Sequence, residues 1–287
     1  MEDHIFALHD DLVSFRYQHN AYKQFYVFEP KERCISKATV RDRLVHQMLY
    51  SALVDVYDKT FISHSFSCRI GKGTHKAVDS LQQMLRKCSL NNRRDCFSLK
   101  MDIRRFFDSI NHETLKHLIR KRIKDSKTLW LIDLIIDSFS VQTTVNGNIG
   151  LPLGNVTSQL FANIYLHELD SYVKHDLRQK YYLRYCDDFI ILSSNASELS
   201  DLITPIRTFL EERLFLDLHP NKIILSPLHQ GIDFLGYIQF FTHRLLRTRT
   251  KTRMLHKLKI NDAKFLNHHI DASQMNQCLQ SYLGILS

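Results

Sequence analysis

Glycine and proline are scarce, eight and five in 287 residues. A chain so poor in both leaves no place for long flexible linkers or a low-complexity tail, and no internal repeat is visible. The six cysteines, at 34, 68, 88, 96, 186 and 278, include no Cys-x-x-Cys pair. That argues against a zinc site and a disulfide framework, and for reduced structural thiols. No apolar run approaches the roughly 18 residues of a membrane span, and Met1 to Asp10 lacks the basic and apolar regions of a signal peptide. The expectation is a cytoplasmic protein with no membrane partner. Acidic residues are also outnumbered, 30 against 39 lysines and arginines, giving a net charge of +9 with 16 histidines besides. Such a surplus points to a polyanionic partner, nucleic acid first and an acidic membrane surface second. The 44% hydrophobic and 24% charged composition is that of a globular chain able to bury a sizeable core in one or two domains.

The stretch around which the chain is organised is Tyr181 to Ser193, Tyr-Tyr-Leu-Arg-Tyr-Cys-Asp-Asp-Phe-Ile-Ile-Leu-Ser. Two runs rich in aromatic and β-branched residues flank a Tyr-Cys-Asp-Asp corner, the pattern of a β-hairpin with two carboxylates at its tip. Aspartate is common in turns for ordinary reasons. Here, however, Phe189 to Leu192 bring no cation, so water, Arg184 or a metal must balance Asp187 and Asp188. Upstream, Cys96-Phe-Ser-Leu-Lys-Met-Asp-Ile-Arg-Arg-Phe-Phe-Asp108 runs an apolar strand into Asp102. Two strands that each end in aspartate can lie side by side and pool three carboxylates. Hard divalent ions take oxygen ligands, and two of them roughly 4 Å apart serve in-line phosphoryl displacement. The constellation points to nucleotidyl transfer.

Four segments in order, Asp102-Ile-Arg-Arg-Phe-Phe-Asp108, Gly150-Leu-Pro-Leu-Gly-Asn-Val-Thr-Ser-Gln159, Tyr185-Cys-Asp-Asp188 and Phe234-Leu-Gly-Tyr237, resemble motifs A, B, C and E of reverse transcriptases. The resemblance runs from about Arg41 to Tyr237. The Leu-Gly-Asn-x-Thr-Ser-Gln form of motif B, with Gly71-Lys-Gly-Thr-His-Lys-Ala77, is most similar to the enzymes of diversity-generating retroelements; group II intron, retron and phage-defence enzymes are near alternatives. The resemblance implies that Asp102, Asp187 and Asp188 hold two magnesium ions, with manganese as a substitute, and that the carbonyl of Ile103 adds an oxygen. It also implies that Phe107 lies beneath the sugar of an incoming deoxynucleotide and rejects a 2′-hydroxyl. Leu218-His-Pro-Asn-Lys-Ile-Ile-Leu225 resembles motif D, whose Lys222 is the candidate general acid for the leaving pyrophosphate. Where most of the family has glutamine before the motif B glycine, this chain has Leu153 beside Gly154, and Gln159 replaces a proline. An apolar residue there loses polar contacts near the base pair and implies weak nucleotide selection.

The remaining segments are read more simply. Val40, Leu44, Met48 and Ala52 recur at helical spacing and predict an inward apolar face, with Arg41 and Arg43 facing the template backbone. Phe66 to Arg69 reads as a short strand before a Gly71-Lys-Gly73 turn and a helix from near Thr74, with Arg69 and Lys72 available to phosphate. Val78, Leu81 and Leu85 form that helix's inner face, and Asn111 caps the next helix. Ser158 is the expected cap of a helix from Gln159 to His175. A further helix is expected from Asn195 to Leu216, with Leu199, Leu202, Ile206 and Leu210 inward. Gly231 to Tyr237 is strand-like and, with Gly236, matches the element that positions the primer end. His243 to Lys259 carries seven lysines and arginines and no acid, so Arg244, Arg247, Arg249, Lys251 and Arg253 are candidate phosphate contacts.

The expected fold is α+β, a right-hand polymerase with an antiparallel-sheet palm, helical fingers and a short helical thumb. The expected division is 1–95 for the N-terminal region and fingers, 96–240 for the palm with a fingers-like insertion around 111–150, and 241–287 for a basic thumb. The partners implied by the resemblance are an RNA template and primer, an RNA/DNA hybrid, deoxynucleotides and an accessory variability determinant protein. Two rivals use the same residues: a metal-dependent nuclease, which needs neither Phe107 nor motif B, and a non-catalytic RNA-binding protein, which needs no aspartates.

Overall fold

A computed structural model describes residues 2–28, 32–144 and 147–286. Of the turn signal Val145-Asn-Gly-Asn148, Val145 and Asn146 lie outside the described residues, and Gly147 and Asn148 belong to a strand. The N-terminal third comprises α1 (Glu2–Val13), β1 (Lys23–Val27), β2 (Arg33–Lys37), α2 (Val40–Tyr57) and α3 (Thr74–Cys88). Next come β3 (Phe97–Asp102), α4 (Phe106–Ser109), α5 (His112–Arg120), α6 (Ser126–Asp137), β4 (Gln142–Thr144), β5 (Gly147–Ile149) and α7 (Val156–Ser171), which runs on as a π-helical turn, Tyr172–Asp176. They are followed by β6 (Tyr181–Tyr185), β7 (Asp188–Ser193), α8 (Ala196–Asp201), α9 (Ile203–Leu214) and β8 (Ile224–Pro227). The chain closes with β9 (Ile232–Phe234), β10 (Tyr237–Gln239), β11 (Arg244–Leu246), α10 (Thr248–Leu266) and α11 (Ala272–Leu286).

The central sheet has the order β6-β7-β3-β8 and is antiparallel throughout. Its β7 is apolar on both faces, as a strand covered on both sides must be, with Phe189, Ile190 and Ile191 all 1% exposed or less, whereas β3 alternates, burying Leu99 and Met101 on one face and carrying Ser98, Lys100 and Asp102 on the other. Helix α7 covers one face, buried on almost every side through Leu160, Phe161, Ile164, Tyr165, Leu166 and Leu169. Helix α3 covers the other with Val78, Leu81 and Leu85, the face its spacing predicts. Each such side chain contributes roughly 1.5–3 kcal/mol, so sheet and helices form one rigid support for whatever the strand ends carry.

Several elements differ from the sequence reading. Helix α2 buries Asp42, Val45, His46, Leu49, Leu53 and Tyr57, while Val40, Leu44 and Met48 are 67%, 50% and 50% exposed. Its polar residues can turn inward because they have partners: Asp42 accepts from Tyr17 Oη at 2.9 Å and Thr39 Oγ1 at 2.6 Å, and His46 Nδ1 meets Thr157 Oγ1 at 2.5 Å. Helix α7 begins at Val156 rather than Gln159; Asn155 stands at its N-cap position and Ser158 is buried in the first turn. The helix expected over 195–216 divides at Leu202, three residues before Pro205, which has no N–H to extend the ladder. The strand expected at Phe66–Arg69 is a single bridge between Ser65 and Arg184. Gly231–Tyr237 is two strands joined by a tight turn at Leu235 and Gly236, both with positive φ. Asn111 caps α5 as expected, accepting from Thr114 N at 2.8 Å.

Candidate active site

Strand pairing places the carboxylates. Asp102 ends β3, Asp188 opens β7, and the two are register partners across the ladder. Asp187 occupies the two-residue turn between β6 and β7, and its carbonyl accepts from Ile103 N at 3.2 Å, tying that turn to the end of β3. The turn places Cys186 at φ 56°, a left-handed conformation held because the strands on either side leave no slack. Burial raises the carboxyls of Asp187 and Asp188, and the charge of Asp102 adds to both; for Asp188 the result is about 6, despite the opposing charge of Lys100. The cation sought for them is not Arg184, which turns into the core. The bridge of Ile103 to Leu218, with His219 N donating to Asp102 O at 2.8 Å, brings the Pro220–Lys222 turn alongside β3.

Two lysines stand at the carboxylates. Lys222 Nζ is 2.8 Å from Asp102 Oδ1. Lys100 Nζ is 3.1 Å from Asp188 Oδ2 and donates to the carbonyl of Asp233 at 2.7 Å. Among the described residues no three His, Cys, Asp or Glu side chains already stand in metal-holding geometry, and two of the carboxylates are paired with these amines. The donor set nevertheless fits a hard cation: three carboxylates meet at two strand ends, and Asp188 Oδ1 is buried with no hydrogen-bond partner. An ion there would satisfy that oxygen and offset both the burial of these carboxylates and their mutual repulsion.

The residues expected to face the nucleotide lie on α4, on motif B and in the turn before α3. Phe106 is core at 2% exposure, whereas Phe107 is half-buried, and its carbonyl accepts from Leu151 N at 2.8 Å, joining α4 to motif B. Leu153 is half-buried and its carbonyl accepts from Ser36 N at 2.9 Å, while Asn155 Nδ2 donates to Ser36 O at 2.9 Å. Gly154 is required there: its φ is +107°, and a Cβ would lie 2.7 Å from Ile35 Cγ2. Gln159 is exposed on the first turn of α7. The Gly71-Lys72-Gly73 turn leads into the N-terminus of α3, and Lys72 Nζ donates to Ser63 O at 2.8 Å.

Four arginines read as phosphate contacts are engaged within the protein. Arg69, with its side chain 7% exposed, donates to Asp58 Oδ1 at 2.6 Å and to the carbonyls of Ile62 and Ser65, so it folds the loop rather than facing phosphate. Arg41 binds Asp11 at 2.6 Å and lies over Tyr17. Arg244 pairs with Asp79 at 2.5 Å, and Arg247 pairs with Asp233. In each case an aspartate distant in sequence takes the charge. Arg43, Arg249 and Lys251 are exposed, Arg253 half-buried, and Gly236 sits at the β9–β10 turn with φ +91°. Sequence reasoning overlooked Lys100, Asp170 and Asn163. A lysine two residues before Asp102 in an apolar strand shares that residue's face, and was the available signal.

All six cysteines are free thiols, and no helix among the described residues is long and apolar enough to cross a membrane. Escherichia coli Protein YkfC is 25% identical over 85% of this chain and 71% of its own length. A group II intron-encoded protein of Lactococcus lactis, LtrA, is 25% identical over 72% of this chain, which spans only 44% of that protein. Two solved structures share the fold. Candida albicans telomerase in complex with a fragment of telomeric RNA has a TM-score of 0.57 at 14% identity, covering 81% of this chain and 46% of that one. Apo telomerase from Candida tropicalis has 0.56 at 14%, covering 84% and 52%. These neighbours, with the antiparallel palm sheet and its carboxylate corner, establish the right-hand polymerase fold. The model described as reverse transcriptase (RNA-dependent DNA polymerase) matches residues 23–239, and the chain therefore belongs to the reverse transcriptase family.

Proposed function

We propose that this chain extends a primer 3′-hydroxyl with deoxynucleotides on an RNA template, and that it does so with the low fidelity of a diversity-generating retroelement. The observation that carries the polymerase reading is the pairing of Asp102 with Asp188 beside the Asp187 turn. Asp102, Asp187, Asp188 and the Ile103 carbonyl would hold two divalent ions, which when bound would supply the positive charge that an in-line phosphoryl displacement needs. Lys222, already at the cluster, donates a proton to the leaving pyrophosphate. Lys72 and the open N–H groups at the start of α3 receive the triphosphate. Arg43, Gln159, Gly236 and the exposed basic face of α10, with Arg249, Lys251 and Arg253, hold template and primer by phosphate contacts. Residues 1–95 serve as N-terminal region and fingers, 96–240 as palm and 241–287 as thumb.

Phe107 acts as the sugar gate, supported by its half-buried ring and its link to motif B. Phe107→Ala is expected to raise the ratio of ribonucleotide to deoxynucleotide incorporation at least tenfold, about 1.4 kcal/mol of lost discrimination. Single-nucleotide incorporation by both proteins measures it; an unmoved ratio makes Phe107 a packing residue only.

The motif B form, with Leu153 beside Gly154, supports the retroelement reading, which brings an accessory variability determinant protein as partner. The similarity to LtrA favours a group II intron-like enzyme as the second reading. Leu153→Gln separates them. One polar contact to the nascent pair is worth roughly 0.5–1.5 kcal/mol, up to about a tenfold change in error ratio. Copying one defined RNA with both proteins should show fewer errors in the variant, chiefly opposite template adenines. Equal error spectra dissociate Leu153 from fidelity and leave the intron-like reading standing.

A further inference from the structure

Arg184 lies in β6, within a strand otherwise built of Tyr and Leu, and its side chain is fully buried. A guanidinium withdrawn from water has a heavy desolvation penalty unless every donor is used. Every donor is. Nε and Nη2 form a two-pronged pair with Asp170 of α7, both at 2.7 Å. Nη2 also donates to Ser65 Oγ at 3.1 Å, and Nη1 donates to Asn163 Oδ1 at 3.3 Å and to the carbonyl of Cys186 at 3.0 Å. The backbone adds to this: Arg184 N donates to His64 O at 2.9 Å, and Phe66 N to Arg184 O at 3.0 Å. Asn163 Nδ2 then holds Ser67 O at 2.9 Å, and Gly73 N donates to Phe66 O at 3.1 Å, at the threshold of α3.

Two of these contacts matter for chemistry. The Cys186 carbonyl belongs to the same planar peptide unit as Asp187 N, so fixing that oxygen fixes the approach of the chain to Asp187. The Ser65 and Ser67 contacts anchor the loop that ends in Gly71-Lys72-Gly73. One rigid fork therefore spans α7, the carboxylate turn and the phosphate-facing loop. We infer that Arg184 is a positioning residue that sets the carboxylate turn and the nucleotide loop in register with each other. The inference rests on the proposed polymerase function. Lysine, a single point donor on a flexible stem, cannot replace the fork.

The test uses the full chain and compares Arg184→Lys and Asn163→Ala with wild type in primer extension. A second readout is Mg2+-induced thermal shift, which reports on the carboxylate turn without turnover. Arg184→Lys is expected to lower kcat at least tenfold and to raise the Mg2+ concentration at half-effect about fivefold in both measurements. Asn163→Ala, which removes the tie to Ser67 and the longest of the fork's contacts but leaves the Asp170 and Cys186 contacts in place, is expected to raise KM for deoxynucleotides severalfold and leave the Mg2+ midpoint unchanged. Should Arg184→Lys not fold, the paired apolar replacement Arg184→Met with Asp170→Leu takes its place, with the same Mg2+ shift expected. A folded variant of either kind with wild-type KM and Mg2+ midpoint overturns the inference and leaves Arg184 a packing residue. Absence of extension by wild type defeats the polymerase reading instead, and the thermal-shift comparison still decides the role of Arg184.

Discussion

Asp187→Ala and Asp188→Ala are each expected to abolish primer extension, lowering the rate at least ~10³-fold, about 4 kcal/mol of transition-state stabilisation. RNA affinity is expected to stay within about threefold of wild type, because the proposed phosphate contacts, at Arg43, Gln159, Gly236 and α10, do not include either aspartate. The fold persists, and the metal-free variants melt no lower than wild type. That last expectation comes from the raised carboxyls. Burial and the neighbouring Asp102 already make ionised Asp187 and Asp188 unfavourable in the folded protein, so removing one removes a repulsion. For Asp188, raised to about 6, the sign is definite. A carboxyl whose folded value exceeds its unfolded one favours the fold below the unfolded value and loses that contribution as pH rises through the folded one. Near neutrality the wild-type carboxylate is thus a burden that the variant lacks. Extension assays, filter binding and thermal melts in EDTA make the comparison. A variant that melts far below wild type and loses RNA binding as well would mean that these aspartates hold the fold rather than the reaction.

Asp170→Ala is expected to be the most destabilising single substitution on the palm. Asp170 and Arg184 are both fully buried, and removing the acid leaves a guanidinium with no counter-charge and Tyr182 Oη without its 2.7 Å acceptor. Breaking such a pair costs about 3–5 kcal/mol, or roughly 5–15 °C in Tm for a chain of this size. The half-exposed pair of Glu168, on the same helix as Asp170, with Lys121 at the end of α5, 3.2 Å apart, is the internal control. Glu168→Ala should change stability by less than about 1 kcal/mol. Urea denaturation of both variants gives the numbers. Equal midpoints would show that water or another acid replaces Asp170 and that the buried pair is not the lock between α7 and β6.

The carboxylate corner was legible because both of its strands announce themselves locally: apolar runs that end in aspartate, with the Cys186–Asp187 turn between Tyr185 and Asp188. The inner face of α3 was legible for the same reason, since period 3.6 is a local property. What was not legible depends on partners far away in sequence. Arg41, Arg69, Arg244 and Arg247 look available for phosphate until Asp11, Asp58, Asp79 and Asp233 arrive beside them. The face of α2 was misread because Asp42 and His46 become core once Tyr17 and Thr157 supply their hydrogen bonds. The β1–β2 hairpin was unforeseen, because β1 exposes Phe25, Tyr26 and Val27 and shows no alternation of burial. Lys100 reaches Asp188 only through the pairing of β3 with β7.

The central claim is that the Asp102, Asp187 and Asp188 corner performs RNA-templated DNA synthesis. It is tested most directly by incubating the wild-type chain with a homopolymer RNA, an annealed DNA primer, the complementary deoxynucleotide and Mg2+. The account predicts a ladder of extended primers that disappears with EDTA and is absent for Asp188→Ala, with the RNA strand intact. Unextended primer on intact RNA, or cleavage of the RNA without extension, would contradict it, the second outcome pointing to a nuclease built on the same three carboxylates.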